Sequence, residues 1–432
     1  MSEAAVKQEE QQLDSGKITC QHCGAEVHVI STHIRDHHKE LAEESAEKVV
    51  KAKPDLDSAS KEFKLALVEQ INADYQTDFP EAPIMSSIAI EELEKRQAAA
   101  QQKKKEAEEK SEAISDSLEL RPMHQVFGLT RSRNTRDIDG NPIMVQVMKQ
   151  GHEFEYMVPK PNPDYVWDIT LLKTIIMAVE NKIPAYLWGL AGVGKSTGFK
   201  QYCAQTNRPM IRVQHTGDTE SPHIIGQTLA NEKGTYFEPG PLAVAMRYGF
   251  FYLADEYDFA FPQVTSVYQP VLENEPLFIK EASGSEDDSW RMVEPHPNFY
   301  MAATGNTNGA GDETGLFQGT NIQNAANYER YGIVMEVKYM EYSKEVRLIS
   351  SNTGLSKEQV EPIVKFVNRV REAFKAGKIT NTAGQRVSLY IAKNYMLTGS
   401  YRRAAELALI NRLPEACRVV VDGIAQRDLG DS

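Results

Sequence analysis

The stretch Gly189-Leu-Ala-Gly192-Val-Gly194-Lys195-Ser196 constrains the fold of this 432-residue chain more than any other, because it satisfies G-x-x-x-x-G-K-[ST] at every fixed position. Such a loop works in one local setting. A buried strand must enter it and a helix must leave it, so that backbone N–H groups wrap an anion at the helix N-terminus. Glycines are needed where a Cβ would block that approach or where φ is positive. The flanks agree: Pro184-Ala-Tyr-Leu-Trp188 reads as a short buried strand, and Thr197 to Thr206 as the following helix. The loop therefore points to ATP or GTP. Leu190, Ala191, Val193 and Thr197 join the glycines around the phosphates, Lys195 reaches the β/γ-phosphates, and the Ser196 hydroxyl takes a place on Mg²⁺.

Binding becomes turnover when an acid holds the metal and another group activates water. Both appear in Gly249-Phe-Phe-Tyr-Leu-Ala-Asp255-Glu256, an apolar strand ending in an acidic pair about 60 residues after the loop. Asp255 is the expected metal-side acid and Glu256 the group that polarises the nucleophilic water. Ligands of open α/β sheets sit at such strand ends. Phe299-Tyr-Met-Ala-Ala-Thr304-Gly-Asn306 is a second apolar strand with a polar end, which places Asn306 between the acidic pair and the γ-phosphate. Arg330 and Arg386 are the candidate cations for a transferring phosphoryl group, since a guanidinium spreads charge over it better than an ammonium. By residue type alone, either one reads as a surface ion-pair partner.

Composition sets the wider frame. With 41% hydrophobic and 25% charged residues the chain has the make-up of a soluble protein of two or three domains. No apolar run approaches the roughly 18 residues that span a bilayer, and the acidic, polar first ten residues are unlike a signal peptide, so a cytoplasmic address is expected. The net charge of −13 argues against a broad basic face for nucleic acid. Strands alternate with helices from Pro184 to about Val337, the pattern of a doubly wound α/β core, and the last 90 or so residues carry helical periodicity. The expected organisation is a disordered tail (1–18), a small metal-binding module (19–40), a charged helical linker (41–120), a short β-containing region (121–162), the α/β core (163–340) and an all-helical lid (341–432).

Phosphate loop, Asp-Glu strand, Asn-ended strand, arginine and helical lid follow one another as in the AAA+ ATPases. In detail the chain resembles their MoxR branch, and within it the ATPase subunits of aerobic cobaltochelatases (the CobS type). The resemblance runs from Val126 towards the C-terminus and is densest in Pro163-Asp-Tyr165, Asp255-Glu-Tyr-Asp258, Glu294-Pro-His-Pro297 and Gly311-Asp-Glu-Thr-Gly-Leu-Phe-Gln-Gly-Thr320. It implies an AAA+ P-loop core, a parallel sheet flanked by helices, with a helical lid. It also implies a homo-hexameric ring with nucleotide at each interface, Arg330 acting on the neighbour's ATP, and Arg386 as a sensor in the lid. Where the family often has Ser-Pro-Arg, this chain has Gly384-Gln-Arg386. Glu273 to Lys280 and Trp290 to Val293 would form a hairpin insert with an acidic tip, Ser283 to Ser289, of the kind relatives use on a partner with a von Willebrand A-type domain.

Near the N-terminus, Cys20-x2-Cys23-x9-His33-x3-His37 has two thiolates and two imidazoles at spacings suited to tetrahedral Zn²⁺. His38 serves as an alternative to His37. The compact spacing resembles the finger of the Ros/MucR bacterial regulators and lies outside the usual cobaltochelatase pattern. With only Lys17, Arg35 and Lys39 to neutralise phosphates, such a finger is at least as suited to a protein partner as to DNA. Three readings follow: a partner-remodelling ATPase, a nucleic-acid-associated ATPase recruited by its finger, and a nucleotide-gated scaffold with little hydrolysis.

Overall fold

The computed structural model describes residues 16–54, 56, 58, 61–95, 98, 118–231, 234–282, 288–312, 315 and 317–430. The chain divides into two compact units, Met1–Lys103 and Lys104–Ser432. Most of the expected tail, the 99–117 part of the linker and positions 283–287 of the hairpin tip lie outside the described residues.

In the first unit a two-stranded ribbon, β1 (Ile18–Thr19) and β2 (Glu26–Val27), brackets the Cys20–Cys23 turn and leads into helix Ile30–His37. That helix stops at His38, where φ −120° and ψ 65° break the run before a second helix, Lys39–Ala52, begins. Helix Lys61–Asp78 returns across both. Ile30 and Ile34, one turn apart on the first helix, bury against Ile71 and Tyr75 of the third, with Cys20 beside them. Residues 41–78, expected as part of a charged helical linker, pack in this small core, and Asp74 ties them together by accepting from Ser45 (2.7 Å), Lys48 (2.8 Å) and Gln70 (2.9 Å).

The second unit is built on five parallel strands: β5 (Ala185–Trp188), β6 (Met210–Gln214), β9 (Phe251–Asp255), β12 (Tyr300–Gly305) and β13 (Ile333–Glu336). Their spatial order is β13-β5-β12-β9-β6. The central strands are buried on both faces, which is why they read as continuous apolar runs. Alternation still decides the sides. Phe251 and Leu253 pack with helices Ile169–Glu180 and Lys195–Gln205 on one face, while Tyr252 and Ala254 pack with helix Pro241–Tyr248 on the other.

Strands β3 (Leu118–Pro122) and β4 (Met144–Met148) pair antiparallel. Val145 and Met123 join one core of the sheet and Met148 and Phe154 the other, so this short β-containing stretch packs on both cores of the α/β unit. Two hairpins leave the sheet: β7 (Gly226–Asn231) with β8 (Gly234–Pro239), which no sequence expectation covered, and β10 (Leu277–Phe278) with β11 (Met292–Val293), the expected insert. The C-terminal helices, Tyr342–Thr353, Lys357–Lys375, Gln385–Thr398, Tyr401–Ala408 and Glu415–Leu429, close on an apolar core of their own. Arg371 and Glu345 form a buried two-pronged pair there, at 2.6 and 2.9 Å, with Ser388 donating to Glu345 at 2.7 Å.

Candidate functional site

Strand β5 delivers the chain to the phosphate loop, and helix Lys195–Gln205 leaves it with its N-terminus towards the loop. Two glycines are needed for different reasons. At Gly189 (φ 144°) a Cβ would come within 2.4 Å of the Val337 carbonyl oxygen, and at Gly194 (φ 98°) the backbone is left-handed while entering the helix. Lys195 is folded over the loop: Nζ donates to the Gly189 carbonyl at 2.6 Å and to Asn306 Oδ1 at 3.1 Å. Burial lowers its pKa to about 8, against the raising influence of Asp258, Asp255 and Glu256.

Asp255 ends β9 and is 2% exposed. Ser196 Oγ and Thr304 Oγ1 both donate to its Oδ1, and Arg212 Nε donates to Oδ2 at 2.6 Å. Burial pushes its carboxyl up, but these hydrogen bonds and the Arg212 charge outweigh that and hold it below the usual range, ionised at neutral pH. Ser196 and Asp255 supply hard oxygen donors side by side, a set that fits Mg²⁺. Glu256 follows in the left-handed region (φ 53°), rare for a residue with a side chain, and Gln214 Nε2 donates to its carboxylate at 2.8 Å.

Asn306 is brought in by a residue to which the sequence reading gave no role. The Asp258 carboxylate accepts from the backbone N–H groups of Asn306 and Thr307, both at 2.8 Å, and from Thr307 Oγ1 at 2.9 Å. Burial raises its pKa in spite of those bonds. Behind Asp255, His215 Nδ1 donates to the Asp255 carbonyl at 3.1 Å. Its Nε2 therefore accepts from Tyr268 Oη at 2.9 Å, and Tyr268 accepts in turn from Tyr252 at 2.8 Å. Burial lowers the His215 pKa and keeps the ring neutral.

Beside the loop opens a cleft of about 430 Å³, lined among others by Tyr165, Asp168, Gly192, Thr197, Val337 and Arg386, a size suited to a small ligand. Arg386 lies near the loop because the lid backbone touches it. A Cβ on Gly384 would meet the Ala191 carbonyl oxygen at 2.6 Å, which explains glycine where the family often has serine. Arg330 does not join this group. Its Nε donates to Glu273 at 2.8 Å and its Nη1 to the Ala326 carbonyl at 2.6 Å.

The structure thus brings together Lys195, Ser196, Asp255, Glu256 and Asn306, with Arg386 at the cleft. Arg212, Thr304, Gln214 and Asp258 are the residues that sequence reasoning missed. Asp258 lay within a quoted motif, three positions after Asp255, and Thr304 two before Asn306; nothing local marked Arg212 or Gln214.

In the first unit the ligand atoms of Cys20, Cys23, His33 and His38 all lie within 4.8 Å of one another. Cys23 Sγ is 3.2 Å from His33 Nε2, and Cys20 Sγ is 4.0 Å from His38 Nε2. A tetrahedral Zn²⁺ shell, with Zn–S about 2.3 Å and Zn–N about 2.0 Å, has edges of roughly 3.3–3.8 Å; the two thiolates and two imidazoles are the right donors and need only small side-chain adjustments to reach it. His37, the expected fourth ligand, gives way to its neighbour. It ends the helix and is exposed, whereas His38 lies past the end, where the broken backbone turns its ring back to Cys20.

Residues 184–321 match the AAA domain (dynein-related subfamily), a span that holds the phosphate loop, the acidic pair and Asn306 and ends before Arg330. The chain is similar to the aerobic cobaltochelatase subunit CobS of Sinorhizobium sp, 29% identical over 282 residues that cover 63% of this chain and 83% of that one. It is similar also to protein NorQ of Paracoccus denitrificans, 25% identical with 56% of this chain and 84% of that one covered. Protein CbbQ of Hydrogenophilus thermoluteolus is 26% identical, with 45% and 67% covered. Among the described residues no helix is long and apolar enough to cross a membrane. This sheet, this loop and the matched span make residues 184–321 an AAA+ ATPase domain, in a chain similar to CobS, NorQ and CbbQ.

Proposed function

We propose that the chain works as a ring of identical subunits, six in the arrangement its family implies, in which ATP hydrolysis remodels or activates a partner protein. Within one subunit Lys195 and the loop N–H groups bind and orient the phosphates. Ser196 and Asp255 would hold Mg²⁺, which offsets phosphate charge when bound. Glu256 takes a proton from the attacking water, and Asn306, held by Asp258, fixes the water or the γ-phosphate from the far side. The observation that carries the ring reading is that Arg330 bonds Glu273 and Ala326 rather than any member of the phosphate-loop group. A guanidinium for the transferring phosphoryl group then comes from the neighbour's Arg330, with Arg386 of the lid on the near side.

The first unit is the recruiting device in this reading, with Zn²⁺ on Cys20, Cys23, His33 and His38 as its structural core and a protein as what it holds. The finer role is metal insertion into a tetrapyrrole together with a partner subunit bearing a von Willebrand A-type domain. It rests on the similarity to a protein named as a cobaltochelatase subunit, and ATP-dependent Co²⁺ insertion by the reconstituted complex tests it.

The central test is kinetic. Glu256→Gln should lower turnover about 10²–10³-fold while ATP still binds, and Lys195→Ala should weaken binding itself. Mixing Arg330→Ala with Lys195→Ala subunits should restore activity, because each supplies what the other lacks across an interface. Mixed rings as inactive as their parents would remove the ring reading, and a Glu256→Gln variant that turns over like the parent would remove the assigned base.

A further inference from the structure

Arg330 caps the C-terminal end of helix Ala325–Glu329, whose own start is fixed by Asn324 Oδ1 accepting from the Ala326 N–H at 2.8 Å. Two of its three guanidinium nitrogens are taken: Nε by Glu273 Oε1 at 2.8 Å and Nη1 by the Ala326 carbonyl at 2.6 Å. Neither bond uses Nη2, which makes no hydrogen bond among the described residues. A planar fork held at two corners has its third corner aimed.

Glu273 is itself well placed to do the aiming. It ends helix Gln269–Leu272, and the chain then turns through Asn274, in the left-handed region at φ 58°, into strand β10. The two short helices are bolted together beneath the pair, since Asn327, 1% exposed, accepts from Gln269 Nε2 and donates to Thr265 Oγ1 at 3.3 Å. Glu273 and Arg330 are 47% and 28% exposed in their side chains, and a pair that open adds little to stability. What it does define is direction.

We propose that Glu273 is a positioning residue for Arg330. Its carboxylate and the Ala326 carbonyl hold the guanidinium so that Nη2 projects as the contact to the phosphoryl group on a neighbouring subunit. This rests on the reading of Arg330 as a finger acting in trans. Glu273 also stands at the foot of the β10–β11 hairpin, which is joined to the β7–β8 hairpin by Thr228 Oγ1 donating to the Glu281 carbonyl at 2.5 Å. Whatever moves the paired hairpins therefore moves the carboxylate that aims the finger.

The test is steady-state ATPase kinetics on full-length variants. Glu273→Ala should lower kcat about tenfold and leave KM for ATP within about twofold, the pattern of an interaction made only in the transition state. Glu273→Gln, which keeps an acceptor oxygen for Nε, should recover most of the rate. In an Arg330→Ala background Glu273→Ala should cost nothing further. Glu273→Ala subunits mixed with Lys195→Ala subunits should regain activity as Arg330→Ala subunits do, which a folding defect would not allow. An unchanged kcat for Glu273→Ala, or losses that simply add to those of Arg330→Ala, would overturn the positioning role while leaving the finger intact. An Arg330→Ala variant with parental kcat would instead overturn the finger reading, and the positioning role with it.

Discussion

The two units of this chain reach a defined fold by opposite means. Among the described residues the first buries seven apolar side chains, Cys20, Ile30, Ile34, Val49, Phe63, Ile71 and Tyr75, and one of these seven is itself a candidate metal ligand. The second packs two apolar layers against a five-stranded sheet and a third inside its helical lid. A small unit hides too little surface to offset the entropy of ordering its chain and needs a cross-link, whereas a large one stands on burial. The difference teaches where each is expected to be fragile: the first at its four candidate ligand atoms, if they hold a metal, and the second at groups buried with charge.

The largest expected effect is metal removal. Structural zinc sites carry on the order of 10 kcal/mol of binding free energy that is also folding free energy. A strong chelator should therefore abolish the melting transition of the first unit and leave nucleotide binding by the second untouched. Calorimetry with metal analysis reads this, and His38→Ala should copy it where His37→Ala does not. A first unit that melts unchanged when stripped would erase the contrast.

Next comes the lid. Glu345→Ala would leave the Arg371 guanidinium, 4% exposed, without its partner, at a cost of about 3–5 kcal/mol. The fall should appear in the melting of the second unit alone; equal shifts in both would mean that the units do not unfold separately.

The smallest effect is on pH. Lys195 carries a pKa lowered to about 8 by burial, so its charge is present below that pH and lost above it. Nucleotide binding by the free protein must then take up a proton above pH 8, and affinity should fall up to about tenfold, or ~1.4 kcal/mol, per further unit. Titration between pH 7 and 9.5 checks this, with Lys195→Met expected to flatten the profile. A parent as flat as that variant would put the charge on another group.

Much of the second unit was legible in the sequence because its signals are local. The loop pattern closes within eight residues, and the two apolar strands carry Asp255 and Asn306 at their own ends. The fold class followed from alternation of strand and helix. The β7–β8 hairpin was missed, since Gly226 to Pro239 carries little apolar alternation and its strands are largely exposed. Residues 41–78 were read into a linker because their polar residues dominate, and only the burial of Val49, Phe63, Ile71 and Tyr75 reveals that they pack. Arg212 and Gln214 were invisible for another reason. They matter through β6 lying beside β9, a neighbour relation between strands about 40 residues apart.

By itself the sequence determined the phosphate loop and the α/β class, and it supplied Asp255 and Glu256 as candidate acid and base and a Cys/His cluster as a candidate metal site, because each rests on residue types at short fixed spacing. Tertiary structure alone decided that His38 rather than His37 closes the cluster, that Arg212 and Thr304 keep Asp255 ionised, that Asp258 holds Asn306, and that Glu273 faces Arg330. The reason is geometric. A helix end can turn one of two adjacent histidines inward, and a parallel sheet sets side by side residues that are distant along the chain, so those choices are made by backbone paths that short-range patterns do not encode.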